Sequence, residues 1–123
     1  MPMRFALPPI IAATAMLGAM PAAAQSLDCS QFGVLGSTAQ GTRHSMTLLN
    51  SSDSRRTVMW MDQNASAVHM TDLNVGDSAS YSVASGDIFV MVDGPGNCVE
   101  MFRVTAGQTQ FTATAIATGE GGD

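Results

Sequence analysis

Three sets of side chains in this sequence are of types that do chemistry. His44, the adjacent pair His69-Met70, and Met46, Met59, Met61, Met91 and Met101 are soft donors of the kind that hold Cu(I) in an oxidising compartment. Asp87, Asp93 and Glu100 are acids that could pair for general acid–base work. Cys29 and Cys98 are the only thiols. Each set also has a structural account, and the spacing favours it. Met59 and Met61 alternate about Trp60 as strand filler, and adjacent His69 and Met70 must point to opposite faces of a strand. Methionine fills irregular cores without a metal. The acids bound predicted strands, where carboxylates are usually solvated turn residues. Neither histidine stands in a Ser/His/Asp pattern with a positioned nucleophile. The expectation is a protein that is not an enzyme and carries no cofactor and no metal.

The cysteines lie too far apart for the close spacing that lowers a thiol pKa. An even pair in an exported chain reads as a disulfide, Cys29–Cys98. Export is read from the N-terminus. Met1 to Arg4 is a short, weakly basic start, Phe5 to Met20 is mainly apolar, and Ala22-Ala23-Ala24 places small residues where a signal peptidase reads them. Residues 1–24 are therefore expected to be a cleaved signal peptide. The apolar run is short for a membrane span and contains Pro8 and Pro9, so no membrane insertion is expected after cleavage. Cys29 follows Ser26-Leu27-Asp28 rather than small residues, which argues against a lipid anchor. The expected location is the periplasm or medium of a bacterium. A net charge of −5 without a single lysine argues against nucleic acid and anionic membrane as partners.

The elements that would position these side chains are short strands. The longest run of large apolar residues after the N-terminus is Thr57-Val58-Met59-Trp60-Met61-Asp62, which predicts an interior strand covered on both faces. Before it come a weak strand over Gln31–Leu35, one over Arg43–Asn50, and a turn cluster at Asn50-Ser-Ser-Asp-Ser54. After it, Asp62-Gln-Asn-Ala65 reads as a hairpin turn with Asn64 at positive φ, and Ala67–Met70 as the return strand. Ser78–Ala84 alternates cleanly, with Ala79, Tyr81 and Val83 inward. Ile88–Val92 is a second wholly apolar strand, Cys98–Val104 alternates, and Gln108–Thr118 ends the set as an edge strand. No window supports a long amphipathic helix. The fold class is all-β, an antiparallel β-sandwich of seven to eight strands in the immunoglobulin or prealbumin manner, over residues 25–118 with a flexible tail at 119–123. Asn50-Ser51-Ser52 and Asn64-Ala65-Ser66 match the glycosylation pattern, but their turn role explains them.

Taken together, Asn50-x-Ser52, Trp60-x-Asp62, Leu73-x-x-Gly76, Gly86, Phe89 and Val92-Asp93 resemble the β domain of the von Hippel–Lindau tumour suppressor family, in the form carried by secreted bacterial proteins. The resemblance runs from Asn50 to Asp93. It implies a β-sandwich that holds an extended peptide. Trp60 falls on the family's pocket tryptophan, and Phe89 takes the place of the second one. Met70 stands where the family has tyrosine, Val83 where it has serine, and Asp87 where it has histidine. The polar groups that recognise hydroxyproline are thus replaced, and Asp87 would favour a cationic side chain instead. The ligand-binding set implied by the resemblance is Trp60, Met70, Val83, Asp87 and Phe89.

Two functions follow from different classes. One is a non-catalytic, protein-binding module for an extended peptide or protein segment. The other is a structural or surface protein with no ligand groove. A lone tryptophan on an apolar strand is core before it is anything else. The resemblance moves Trp60 towards partial exposure.

Overall fold

The structure, a computed structural model, describes residues 22–117. The leader expected over residues 1–24 lies, but for its last three residues, outside the described residues, as does the tail expected over 119–123. Eight strands make two packed sheets: β1 (Gln25–Leu27), β2 (Gln40–Asn50), β3 (Arg56–Met61), β4 (Ala67–Leu73), β5 (Ser78–Ser85), β6 (Ile88–Val92), β7 (Cys98–Arg103) and β8 (Gln110–Ala113). The larger sheet has the order β1-β7-β6-β3-β4 and the smaller the order β5-β2-β8. The protein is an all-β sandwich. One pairing departs from the expected antiparallel pattern: β8 runs parallel to β2, with Thr47 opposite Gln110 and Asn50 opposite Ala113. Alternation reports which face a residue occupies, not which way its strand runs. No helix among the described residues is long and apolar enough to cross a membrane.

Strand β6 occupies the middle of the larger sheet, and all five of its residues are buried. Phe89 and Met91 enter the cluster between the sheets, whereas Ile88, Val90 and Val92 enter a second cluster on the other face. β3 lies between β6 and β4 and divides in the same way, Val58 and Trp60 inward, Met59 and Met61 outward. The Trp60 strand is interior and double-covered, although the middle position belongs to its neighbour.

What covers the outer face is not a third sheet. The strand expected over Gln31–Leu35 is instead a strap: a single 3₁₀ turn at Cys29–Gln31, capped by Asp28, whose Oδ1 accepts the Ser30 N–H at 2.8 Å, followed by turns. Phe32 and Leu35 pack onto the outer cluster while Val34 points to solvent. That three-residue spacing mimicked alternation for Phe32 and Val34. The disulfide Cys29–Cys98 ties the strap to β7 across 69 positions of sequence. At its far end Ser37 Oγ donates to the Met61 carbonyl and accepts from the Ile88 N–H, and Thr38 N–H donates to the Gly86 carbonyl. The approach is too close for a side chain: a Cβ on Gly36 would lie 2.6 Å from the Gln63 carbonyl oxygen, and one on Gly86 2.3 Å from that of Thr38.

Two turns differ or gain a reason. In the β3–β4 hairpin the positive φ falls on Ala65, at 64°, not on Asn64. Asp62 Oδ1 accepts the N–H groups of Asn64 and Ser66, which lets the turn close with Ala65 in that conformation. Asn50 is fully buried, its Nδ2 donating to the carbonyls of Ser54 and Leu73 and its Oδ1 accepting from Ser52. It is a hub of the fold.

Candidate functional site

One flank of the sandwich is bounded by β4 and β5, as the opposite one is by β1 and β8. β4 ends the larger sheet and β5 ends the smaller, so neither has a hydrogen-bonded neighbour on that side. The chain passes from β4 to β5 through residues 74–77. Beyond Tyr81 the sheets part and a cleft of about 230 Å³ opens, lined by Arg43, Trp60, Met70, Tyr81, Ser82, Asp87 and Phe89. Drug-sized ligands usually occupy roughly 300–1,000 Å³. The cleft suits one large side chain.

Trp60 and Phe89 are direct cross-strand partners on β3 and β6, which sets their rings side by side on the cleft floor. Phe89 heads a row of stacked rings through the core: Tyr81 lies 6.1 Å from it, Phe102 5.7 Å, and Phe111 3.8 Å beyond Phe102. Met70 reaches the cleft because β4 is irregular there. Met59 pairs with His69 and Val58 with Thr71, so Met70 is the extra residue of a β-bulge. Val68, opposite Trp60 and 40% exposed, extends the apolar surface outward along β4. Burial raises the Tyr81 hydroxyl above its ordinary value of 10.0, with the Thr71 hydrogen bond acting against it, so the phenol stays protonated at neutral pH.

Asp87 sits in the β5–β6 turn and is only 3% exposed. One carboxylate oxygen accepts the Ala84 N–H at 2.9 Å and the other the Trp60 indole N–H at 3.3 Å. Its own backbone is fixed by bonds to Ala84 and Val104. This commits Asp87 to orienting Trp60, not to meeting a ligand's cation. The charge that does face the opening is Arg43, whose Nε donates to Ser82 Oγ at 3.1 Å and whose Nη2 donates to the Ser82 carbonyl at 2.8 Å.

Of the five residues marked by the resemblance, the structure brings together Trp60, Met70, Asp87 and Phe89. It does not bring Val83, which is 0% exposed in the inter-sheet core. Arg43, Tyr81 and Ser82 went unmarked. Tyr81 was legible as inward-facing, but its place on an edge strand, which exposes one side of the ring, was not. A register irregularity between Gln40 and His44, with Gly41 at φ 80°, shifts Arg43 relative to β5.

Two other depressions offer less. One, of about 390 Å³, is lined by Gln40, Gly41, Thr42, His44, Ser85, Ala106 and Gly107. Its one chemical group, His44, has Nε2 2.6 Å from the Gln108 carbonyl. The other, lined by Ser54, Arg55, Thr57, Asp72, Asp93 and Gly94, is a closed ionic network in which Asp72 is met by Arg55 at 2.7 Å and Thr57 at 2.6 Å. Among the described residues no group of three or more His, Cys, Asp or Glu is arranged to hold a metal ion. Comparison with protein-family models and with curated proteins finds no match to this chain.

Proposed function

We propose that this chain is an exported, non-catalytic binding module that holds an extended peptide or protein segment along its β4–β5 flank. The observation that carries the proposal is the position of the cleft. An aromatic and methionine floor of Trp60, Phe89, Tyr81 and Met70 lies between two strand edges that have no partner. An extended segment gains affinity from backbone pairing to such an edge and selectivity from a pocket that takes every second side chain. The resemblance to the von Hippel–Lindau β domain implies a peptide over Trp60, Met70, Asp87 and Phe89, which line this cleft, and over Val83, which does not. Export is supported by the leader-like N-terminus, by the Cys29–Cys98 bridge, which suits an oxidising compartment, and by β1 beginning at Gln25. Cleavage after Ala24 would leave every strand whole; among the described residues it would remove the hydrogen bond from Thr105 Oγ1 to the Ala23 carbonyl and the packing of Ala24 against the inter-sheet core. Periplasm or medium of a bacterium is the proposed location.

Trp60 is the only tryptophan, so intrinsic fluorescence reports on the cleft alone. Titration with extended peptides that carry one large apolar residue is expected to shift its emission and shield it from a soluble quencher. Matched proline and hydroxyproline peptides are expected to bind alike. Met70 offers no hydroxyl-binding group and Val83 is buried, and a site built around such a bond loses orders of magnitude without it. A Trp60 that no quencher reaches and no peptide moves would leave the structural protein without a groove as the better account.

A further inference from the structure

Arg43 lines the cleft, and among the described residues it has no anionic partner. The ion pairs among those residues are Arg55–Asp72, Arg56–Asp53 and His69–Asp72. Arg103 is likewise outside these ion pairs, but it does not line the cleft. Asp87 lines the same cleft, but both its oxygens are engaged by Trp60 and Ala84 and it is nearly inaccessible.

The Arg43 guanidinium is nevertheless held in one orientation. Its Nε and Nη2 both donate to Ser82 on the neighbouring strand, one to the hydroxyl and one to the carbonyl. A guanidinium has five N–H donors in a planar fork. Two are used on this edge, which leaves one donor of Nη1 and the second of Nη2 parallel on the end-on edge, with the other Nη1 donor turned back towards Cδ. The end-on edge can meet a carboxylate with two parallel bonds. An arginine already immobilised loses less side-chain freedom when it binds.

Resting on the peptide-binding proposal, we infer that the module selects a segment in which a large apolar residue, seated on Trp60 and Phe89, lies within two positions of a carboxylate held by Arg43. The carboxylate is either an Asp or Glu side chain or the segment's own C-terminus. The chemistry is the same for both.

The test is selection on the full chain from a library of N-acetylated, C-amidated hexapeptides, and from the same library with free C-terminal carboxylates. Chosen peptides are then titrated singly by Trp60 fluorescence. Enrichment of an apolar residue near Asp or Glu in the amidated library marks the side chain as the source. Enrichment of a C-terminal apolar residue only in the free-acid library marks the terminus. In either case the carboxamide counterpart is expected to bind about tenfold more weakly. Arg43→Gln is expected to bind both counterparts equally and at the weaker level. Arg43→Lys should restore part of the difference, since it keeps the charge and loses the fork. Enrichment of apolar peptides with Arg, Lys or no charge, or discrimination that survives Arg43→Gln, overturns this inference and leaves the binding module intact. No enrichment and no response from Trp60 overturns both.

Discussion

The two faces of the larger sheet use the same kinds of residue to opposite ends. On the outer face Met59, Met61 and Met101 lie with Ile88, Val90 and Val92 under the strap, which is fastened by a disulfide, a serine that bonds two strands, and two glycine contacts. On the inner face Met70, Trp60 and Tyr81 form a continuation of the core that reaches the flank and is left uncovered. Neither face differs much in composition from the other. Coverage separates them: where a strap closes over methionine the result is packing, and where two sheet edges part over methionine and tryptophan the result is a cleft. Function is therefore sought at the flank, not at the richest cluster of soft side chains.

The sharpest way to break this contrast is at Val90, which is 0% exposed beneath the strap. Val90→Asp places an unpaired carboxylate there and is expected to cost about 3–5 kcal/mol, seen as unfolding or a large loss in denaturant midpoint. Ser80→Asp, on an exposed face, is the control and should cost under about 0.5 kcal/mol. Comparable losses in both would mean that the strap seals nothing.

Next in size is the bridge. Closing a loop of 69 positions contributes up to about 4 kcal/mol in the chain-entropy account. The double substitution Cys29→Ser with Cys98→Ser is expected to lower stability by about 2–4 kcal/mol while Trp60 keeps its response to peptide. A cleft that vanishes with the disulfide, measured on protein still folded by circular dichroism, would make the two regions one unit.

The smallest effect is acid. Asp28, which caps the strap, is held below its ordinary 3.8 by the Ser30 backbone N–H, and Asp72, on β4 at the flank, by the Thr57 hydroxyl first and His69 second. Both folded-state values are depressed, so their contribution is present above 3.8 and is lost as pH falls through the folded values. Both groups are exposed, and the loss is expected to be slight. The unfolding midpoint should stay level down to the ordinary carboxylate range and decline only below it. Asp28→Asn and Asp72→Asn should each remove part of that decline.

Much of this architecture was legible because a period of two is a strong signal where one face is dry. Ser78–Ala84 and Ile88–Val92 lie within or match observed strands for that reason. β1 was invisible: Gln25-Ser-Leu27 has no pattern of its own, and its pairing with β7, Gln25 opposite Arg103, makes it a strand. The strap was misread because Phe32 and Val34 alternate by accident, while Asp28 and Cys29 impose a turn. At the site, Trp60 and Phe89 come from the family resemblance, since size and strand pattern alone put both in the core. Val83 reads as inward from the alternation of Ser78–Ala84 and is buried, whereas Arg43 is not legible because the cleft is made by strands ending and slipping, and irregularities of register leave little trace in a single sequence.

The bulge at Met70 has a consequence for solubility. A long, even strand border invites a second copy of itself, and successive additions give fibres. Around Met70 the ladder of β4 falls out of step by one residue, and His69 and Asp72 put charge or polarity beside it. Two such borders cannot zip together in register over their length. The same interruption that turns a methionine towards the cleft thus makes the β4 border a poor template for a second copy.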